Sequence, residues 1–361
     1  MSRGAAGGRA RGAVRCMMSR LARVYWSCHL AWSVILLAVS FAVILAGCEL
    51  FVNGIEWFGR RLSLGEGAVG SVLAAVGTAL PETLIPFIAI LAKGGVAGSA
   101  VGTGAILGAP FMLSSLAIFV CGIAVLGYAS SGRRSRTITI NRAVLQRDLS
   151  FFLVIYSVAV ILGLVDLGPF KHYLALLFVM AYGVYVFFTM RSEGDLDGDM
   201  RSLYFHRAAE EPGMRQIVLQ VFVALAAIVF GAELFVDHIT IIALGLHMPP
   251  LAISLLLTPL ATELPEKFNS VSWMRERKDA LALGNITGAM VFQSAFPVAI
   301  GIGFTAWRLE GEGLLAAMLA LGSGALLLVR VRLTGTMSWP SLLAGGVFYV
   351  TFVTVTLVHI L

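Results

Sequence analysis

Two hydrophobic stretches, each with a Pro-Glu pair at its centre, constrain this chain more than any other feature. The first reads Ala-Val-Gly-Thr-Ala-Leu-Pro-Glu-Thr from Ala75 to Thr83, the second Pro-Leu-Ala-Thr-Glu-Leu-Pro-Glu-Lys from Pro259 to Lys267. Thr78, Leu80, Pro81 and Glu82 recur as Thr262, Leu264, Pro265 and Glu266, at a constant offset of 184. Both stretches lie in segments long enough to cross a bilayer. A carboxylate at that depth is expensive and is a functional position by default. Two such carboxylates in related segments point to a site built between two repeats.

The 361 residues are 58% hydrophobic and only 13% charged, with a mean hydropathy of +0.90. Those values exclude a soluble globular domain, and the long unbroken apolar runs exclude a β-barrel, whose strands alternate. The fold class is therefore an all-α polytopic membrane protein. Ten transmembrane helices are expected, near 30–52, 67–92, 97–128, 149–165, 172–190, 216–237, 250–273, 280–306, 314–329 and 340–361. They divide into a basic tail (1–29), a first five-helix repeat (30–190), a central loop (191–214) and a second five-helix repeat (215–361). The tail carries arginines and no acid; it is disordered, or it precedes a true start at Met17 or Met18. Arg60, Arg61, Arg133, Arg134, Arg136, Arg142, Arg147, Arg191, Arg201, Arg207, Arg215, Arg275, Arg277, Lys278, Arg330 and Arg332 follow odd-numbered spans, against Lys93, Lys171 and Arg308 after even-numbered ones. The positive-inside rule makes the first set, including the central loop, cytoplasmic in a cell (inner) membrane. The net charge of +6 is thus a topology signal and implies no nucleic acid. Cys16, Cys28, Cys48 and Cys121 have neither metal-ligand nor disulfide-framework spacing.

Sliding the chain on itself by 184 gives 15 identities over the 41 positions from 42 to 82, among them a Glu-Leu-Phe-Val block at Glu49 and Glu233. Five spans separate equivalent positions. Because five is odd, the second repeat is expected to be inverted relative to the first, the architecture of alternating-access carriers. Gly104-Ala-Ile-Leu-Gly108 matches Gly284-Asn-Ile-Thr-Gly288 at offset 180. Glycines four apart share a helix face and let backbones approach, so helix packing suffices to explain them. Glu49 and Glu233 lie near span ends and read as polar anchors.

At the centre, Pro81 and Pro265 lack an N–H and so leave the carbonyls of Gly77 and Ala261 without a helical partner. Freed carbonyls at membrane depth line polar cavities, where they coordinate cations. With the hydroxyls of Thr78 and Thr262 and the carboxylates of Glu82 and Glu266 they form the all-oxygen set that a hard cation such as Ca²⁺ takes. The competing reading is a proline kink with a protonated, structural Glu.

The Gly-Thr-x-x-Pro-Glu signature in an inverted repeat, followed by a Gly-x-x-x-Gly span, resembles the cation/Ca²⁺ exchanger superfamily, its prokaryotic Na⁺/Ca²⁺ exchanger branch in particular. The resemblance covers nearly the whole chain from residue 30. It implies that Glu82 and Glu266 bind Ca²⁺ and that Thr78 and Thr262 add oxygens. It also implies exchange by sliding two peripheral helices against a fixed core. The chain departs from the family pattern where a Ser would precede Leu: Ala79 stands there in one repeat and Glu263 in the other. The second signature becomes Gly108-Ala-Pro-Phe-Met-Leu113 and Gly288-Ala-Met-Val-Phe-Gln293, so Gln293 alone keeps a polar ligand there. By the resemblance those lost oxygens belong to Na⁺ sites, which leaves both Na⁺ and H⁺ open as the coupling ion.

Glu263 and Lys267 are four apart on one helix, in the order that favours an ion pair. Either the Lys neutralises Glu263 and frees the Glu82–Glu266 pair, or it fills the space and charge of a bound cation. Asn285 falls on the same helix as Gln293 and reads as a lining residue. Asp195-Leu-Asp197-Gly-Asp199 lacks the Gly and Glu of a Ca²⁺ loop at its sixth and twelfth places, which hold Met200 and His206. The expected function is a secondary cation antiporter moving Ca²⁺, or a similar divalent cation, against Na⁺ or H⁺. No cofactor is expected, and the partners are inorganic cations and the bilayer, with no obligate protein partner. A non-transporting divalent-cation binder and an intramembrane enzyme are the alternatives, the latter without a zinc-protease His-Glu-x-x-His.

Overall fold

A computed structural model describes residues 30–47, 49–51, 53–55, 57–58, 61, 80–190, 202–206, 212–246 and 248–360. In chain order its helices are α1 (Leu30–Ile55), α2 (Leu80–Phe87, prolonged by a π-helical turn Ile88–Lys93) and α3 (Gly95–Ser130). Then come α4 (Arg142–Leu164), α5 (Phe170–Met190), α6 (Met214–Gly245), α7 (Pro250–Thr262) and α8 (Leu264–Arg275). The last three are α9 (Asp279–Phe304), α10 (Gly311–Thr334) and α11 (Trp339–Ile360). Among the described residues, 8 helices (α1, α3–α6 and α9–α11) are long and apolar enough to cross a membrane. The hydrophobic segment 250–273 is split into α7 and α8, and α2 holds the end of the segment expected at 67–92.

Several boundaries move. Residues 142–148, expected to lie between the third and fourth spans, form the first two turns of α4, because the Asn141 side chain accepts a hydrogen bond from Val144 N at 3.2 Å and starts the helix there. α6 runs eight residues past the expected end at 237, to a total of 32 residues. At 1.5 Å per residue that is about 48 Å, longer than a bilayer core, which requires a tilt. α3 is one helix of 36 residues that absorbs a π-helical segment at Leu113–Ala117.

Loop contacts sort the helix ends into two sets. At one end the guanidinium of Arg134 bonds Met274 O, Arg277 bonds Arg133 O, Arg142 bonds Arg332 O, and Ile138 bridges Met337. At the other, Lys171 bonds Ala306 O and Trp307 O, Leu309 N bonds Gly163 O, and Arg308 pairs with Asp166. Helix directions follow. α3 and α9 run opposite ways, as do α4 and α10, and α5 and α11. α3 and α9 carry the Gly-x-x-x-Gly stretches that match at offset 180.

α1 and α6 cross through reciprocal contacts. A Cβ added at Gly47 would lie 2.8 Å from Ile228 Cγ1 and 3.2 Å from Ala224 O; one at Gly231 would lie 2.8 Å from Ile44 Cγ1 and 3.2 Å from Ser40 O. Adding 184 to Gly47, Ile44 and Ser40 gives Gly231, Ile228 and Ala224, so each contact is the image of the other. The crossing buries its own apolar cluster, including Leu37, Ile44, Phe51, Ala224, Ile228 and Phe235, against Ile85, Ile88 and Ala89 of α2. A second, larger cluster joins α3, α4, α9, α10 and α11 around Phe111, Phe152, Tyr156, Met290 and Trp307.

α3 packs closely on α7. A Cβ at Gly104 would stand 2.5 Å from Leu251 O, and one at Gly108 would stand 2.3 Å from Leu255 O. The packing role read from these glycines therefore holds for the first pair; for Gly284 and Gly288 nothing described lies within 4 Å. Backbone at 2.3 Å cannot yield as a flexible side chain can. Gly108→Val is expected to push α7 away from α3 and to lower the melting temperature, at a cost of about 1–3 kcal/mol or more for overpacking. Thermal unfolding in detergent, read by intrinsic fluorescence, measures it.

Candidate functional site

The site is organised by the break between α7 and α8. α7 ends at Thr262, Glu263 adopts φ −88° and ψ 9°, and α8 begins at Leu264 with Pro265 in its first turn. Proline without an N–H is tolerated at a helix start and not in its interior, so a Pro in mid-segment sets where the helix restarts. The break is buried: Thr262 and Glu263 are each 1% exposed and Lys267 7%.

Leading up to it, α7 carries three hydroxyls four residues apart. Ser254 Oγ donates to Val101 O on α3 at 2.7 Å and lies 3.0 Å from Thr258 Oγ1. Thr262 Oγ1 donates to Thr258 O at 3.1 Å. The Thr262 proton is thus used on its own helix, which leaves its oxygen lone pairs for an electropositive neighbour. The spacing of Ser254, Thr258 and Thr262 was visible in the sequence, but only the contact with α3 shows that the stripe is buried.

Glu263 and Lys267 form the expected i,i+4 pair, with Lys267 Nζ 2.9 Å from Glu263 Oε2. The same ammonium donates to Pro259 O at 3.3 Å, a carbonyl that also receives Glu263 N at 3.2 Å. One positive charge is therefore held by a carboxylate and a main-chain oxygen at the break itself.

In the first repeat, Glu82 on α2 is 5% exposed. α2 packs against α3, α6, α7 and α9. A π-helical turn follows it at Ile88–Lys93, and such turns recur at functional sites. Gly77 and Thr78 lie outside the described residues. Pro81, Ala261, Pro265 and Glu266 are placed by their backbone, Pro81 on α2, Ala261 on α7 and the other two on α8.

On α9, Gln293 is 2% exposed, and among the described residues its Oε1 has no hydrogen-bond partner, nor has Nδ2 of Asn285. A buried amide without a partner costs about 1–3 kcal/mol, which is accepted where a ligand or water completes it. Neither residue is brought into a described contact with Glu82 or Glu263.

Sequence reasoning missed two further buried carboxylates, Asp148 and Asp279. Asp148, on α4 and 2% exposed, accepts from Tyr185 Oη of α5 at 2.6 Å, from Arg147 Nε at 3.1 Å and from Thr287 Oγ1 of α9 at 2.8 Å. It pins the Gly284–Gly288 stretch to α4 and α5. The available signal was that Asp148 is the first acid after Glu82 in the chain; its place in a run of arginines concealed it. Glu49 does act as an anchor, accepting a short hydrogen bond from Tyr204 Oη. Around it, Gln220 Nε2 reaches Asn53 Oδ1 and Leu50 O, both at 2.9 Å. Among the described residues no cluster of three or more His, Cys, Asp or Glu side chains is arranged to hold a metal.

Comparison with known proteins adds three findings. The family described as sodium/calcium exchanger protein matches the chain twice, at residues 32–191 and 217–358. The sodium/calcium exchanger MaX1 of Methanosarcina acetivorans is 25% identical over 281 residues, spanning 71% of this chain and 80% of that protein. Among solved structures, the H⁺/Ca²⁺ exchanger CAX aligns with a TM-score of 0.71 at 16% identity, over 93% of this chain and 89% of that one. The sodium-calcium exchanger NCX_Mj aligns with a TM-score of 0.56 at 18% identity, over 90% and 99%. At these identities the two structures bear on the fold.

Proposed function

Because this chain belongs to the sodium/calcium exchanger protein family, a family of transporters and not of enzymes, we propose that it is a secondary antiporter. It moves Ca²⁺, or a divalent cation like it, against Na⁺ or H⁺ by alternating access. The architecture is ten transmembrane helices in two inverted five-helix repeats. α1 to α5 form the first, α6 to α11 the second, with α7 and α8 as one broken span. The opposite directions of α3 and α9, the reciprocal glycine contacts of α1 and α6, and the double match of the family support it. The loop arginines gathered at one end support a cytoplasmic central loop in a cell (inner) membrane.

The observation that carries the reading is the buried helix break at Thr262–Glu263, in a segment whose repeat partner holds the buried Glu82. In the proposal Glu82 and Glu266 bind the divalent ion alternately from each side. Thr78 and Thr262, with the carbonyls of Gly77 and Ala261, complete an oxygen shell of the kind Ca²⁺ takes. Asn285 and Gln293 line the path. A buried divalent ion needs about two negative charges nearby to offset its desolvation, and the repeat supplies one from each half.

The test is Ca²⁺ uptake into proteoliposomes under an imposed Na⁺ gradient, then under a pH gradient. Uptake driven by one and not the other identifies the coupling ion. No uptake under either gradient, with intact reconstitution and Ca²⁺-dependent stabilisation retained, would replace the antiporter by a non-transporting cation binder.

A further inference from the structure

The Lys267 ammonium stands where a small cation would. We propose that it is a tethered monovalent cation, which permanently fills an oxygen pocket at the α7–α8 break and removes one mobile monovalent ion from the exchange cycle. The inference rests on the antiporter reading and decides something that reading leaves open, namely which half of the molecule a coupling ion can use.

Three observations carry it. First, the ligands of the ammonium are those of an alkali cation. Nζ sits 2.9 Å from Glu263 Oε2 and 3.3 Å from Pro259 O. A carboxylate and a main-chain carbonyl at a helix break are the groups that coordinate monovalent ions inside carriers. Second, the pair is sealed. Glu263 is 1% exposed and Lys267 7%, so the two charges are held away from bulk water, and truncating Lys267 withdraws the ammonium from a buried carboxylate. Third, the pair exists in one repeat alone. The positions 184 earlier are Ala79 and Thr83, neither of which ionises. A charge that adapts one half of a two-fold site need not recur in the other.

The chemistry predicts what replaces the ammonium when it is taken away. With Glu263 retained and Lys267 removed, the break keeps a buried negative charge and its carbonyl oxygen. A free Na⁺ can then take the place of the ammonium, in competition with a proton on Glu263.

The experiment compares full-length wild type, Lys267→Met and Lys267→Met/Glu263→Gln in detergent. Melting temperature is followed as NaCl replaces choline chloride at constant ionic strength, with ²²Na⁺ binding as a second readout. The expected result is a saturable upward shift with Na⁺ in Lys267→Met, beyond any in wild type, together with one additional bound Na⁺. Both gains should vanish in the double variant. If Lys267→Met folds only when Na⁺ is present, the proposal is equally supported. Lys267→Met indifferent to Na⁺, or unfolded in both salts while the double variant folds, would make Lys267 a structural counter-charge and overturn it. Because binding and melting are read without flux, a failure of the antiporter reading appears separately, as absent Ca²⁺ uptake by wild type.

Discussion

Glu82→Gln is expected to abolish Ca²⁺ uptake into proteoliposomes while leaving the protein folded. The two side chains have the same shape, and the exchange removes a negative charge from a position only 5% exposed. Because shape and hydrogen-bonding capacity are largely kept, the melting temperature without Ca²⁺ should stay close to that of the wild type. What is lost is half of the charge proposed to face the divalent ion. Oxygen sites span from about 10⁻⁹ to 10⁻³ M in Ca²⁺ affinity largely by ligand charge and rigidity. On that scale one missing carboxylate should raise the half-saturating Ca²⁺ concentration at least about 100-fold. Isotopic ⁴⁵Ca²⁺ uptake and Ca²⁺-dependent thermal stabilisation, measured side by side, separate site from scaffold. Normal uptake by Glu82→Gln would remove Glu82 from the site.

Asp279→Ala is expected to be the most damaging single change to stability. Arg134, buried like its partner, uses all of its donors. Nε reaches Ser135 O at 3.0 Å and Nη2 reaches Thr137 O at 2.9 Å. Nη1 reaches Met274 O at 2.5 Å, and the two terminal nitrogens grip Asp279 at 2.6 and 2.8 Å. Asp279 also receives Thr139 N at 3.0 Å, so it ties the α3–α4 connection to the corner between α8 and α9. Removing the carboxylate strands a guanidinium whose side chain is 1% exposed. Breaking a buried pair in this way costs about 3–5 kcal/mol. Chemical unfolding in detergent should show that loss, and Asp279→Leu combined with Arg134→Met should recover much of it, since no charge is then left buried. A double variant no more stable than Asp279→Ala would mean that the arginine's backbone contacts, and not the ion pair, hold the corner.

Much of the architecture was legible because membranes impose a simple code. Length and hydropathy locate helices, and the Thr-x-Leu-Pro-Glu block at offset 184 announces a repeat before any contact is known. Proline in mid-segment also announced the break, since a missing N–H has the same consequence in every context. Boundaries were less legible. α4 begins at Arg142 because of the cap at Asn141, a polar signal hidden in a run of arginines, and hydropathy alone placed its start at 149. α6 continues past 237 although Asp237 and His238 interrupt its apolar run. The helix is satisfied there because Asp237 pairs with Lys93 of α2 at 2.8 Å.

The site divides in the same way. Periodicity alone paired Glu263 with Lys267, because four residues is one turn of a helix and requires no knowledge of the fold. What the ammonium does beyond that pair depends on Pro259 O, whose place beside it is a product of the break. Asp148 is the opposite case. Its role depends on Tyr185, 37 residues later, and on Thr287, 139 residues later, and no local pattern encodes partners at that distance. The sequence by itself determined that the chain is helical and membrane-spanning, repeats itself, and breaks a helix beside buried carboxylates; each follows from transfer energy, chirality or a missing N–H, which act locally. Only the tertiary structure decided which polar groups meet and which helices pack on one another. Those are properties of packing between segments far apart in the chain, where the low dielectric makes each contact count.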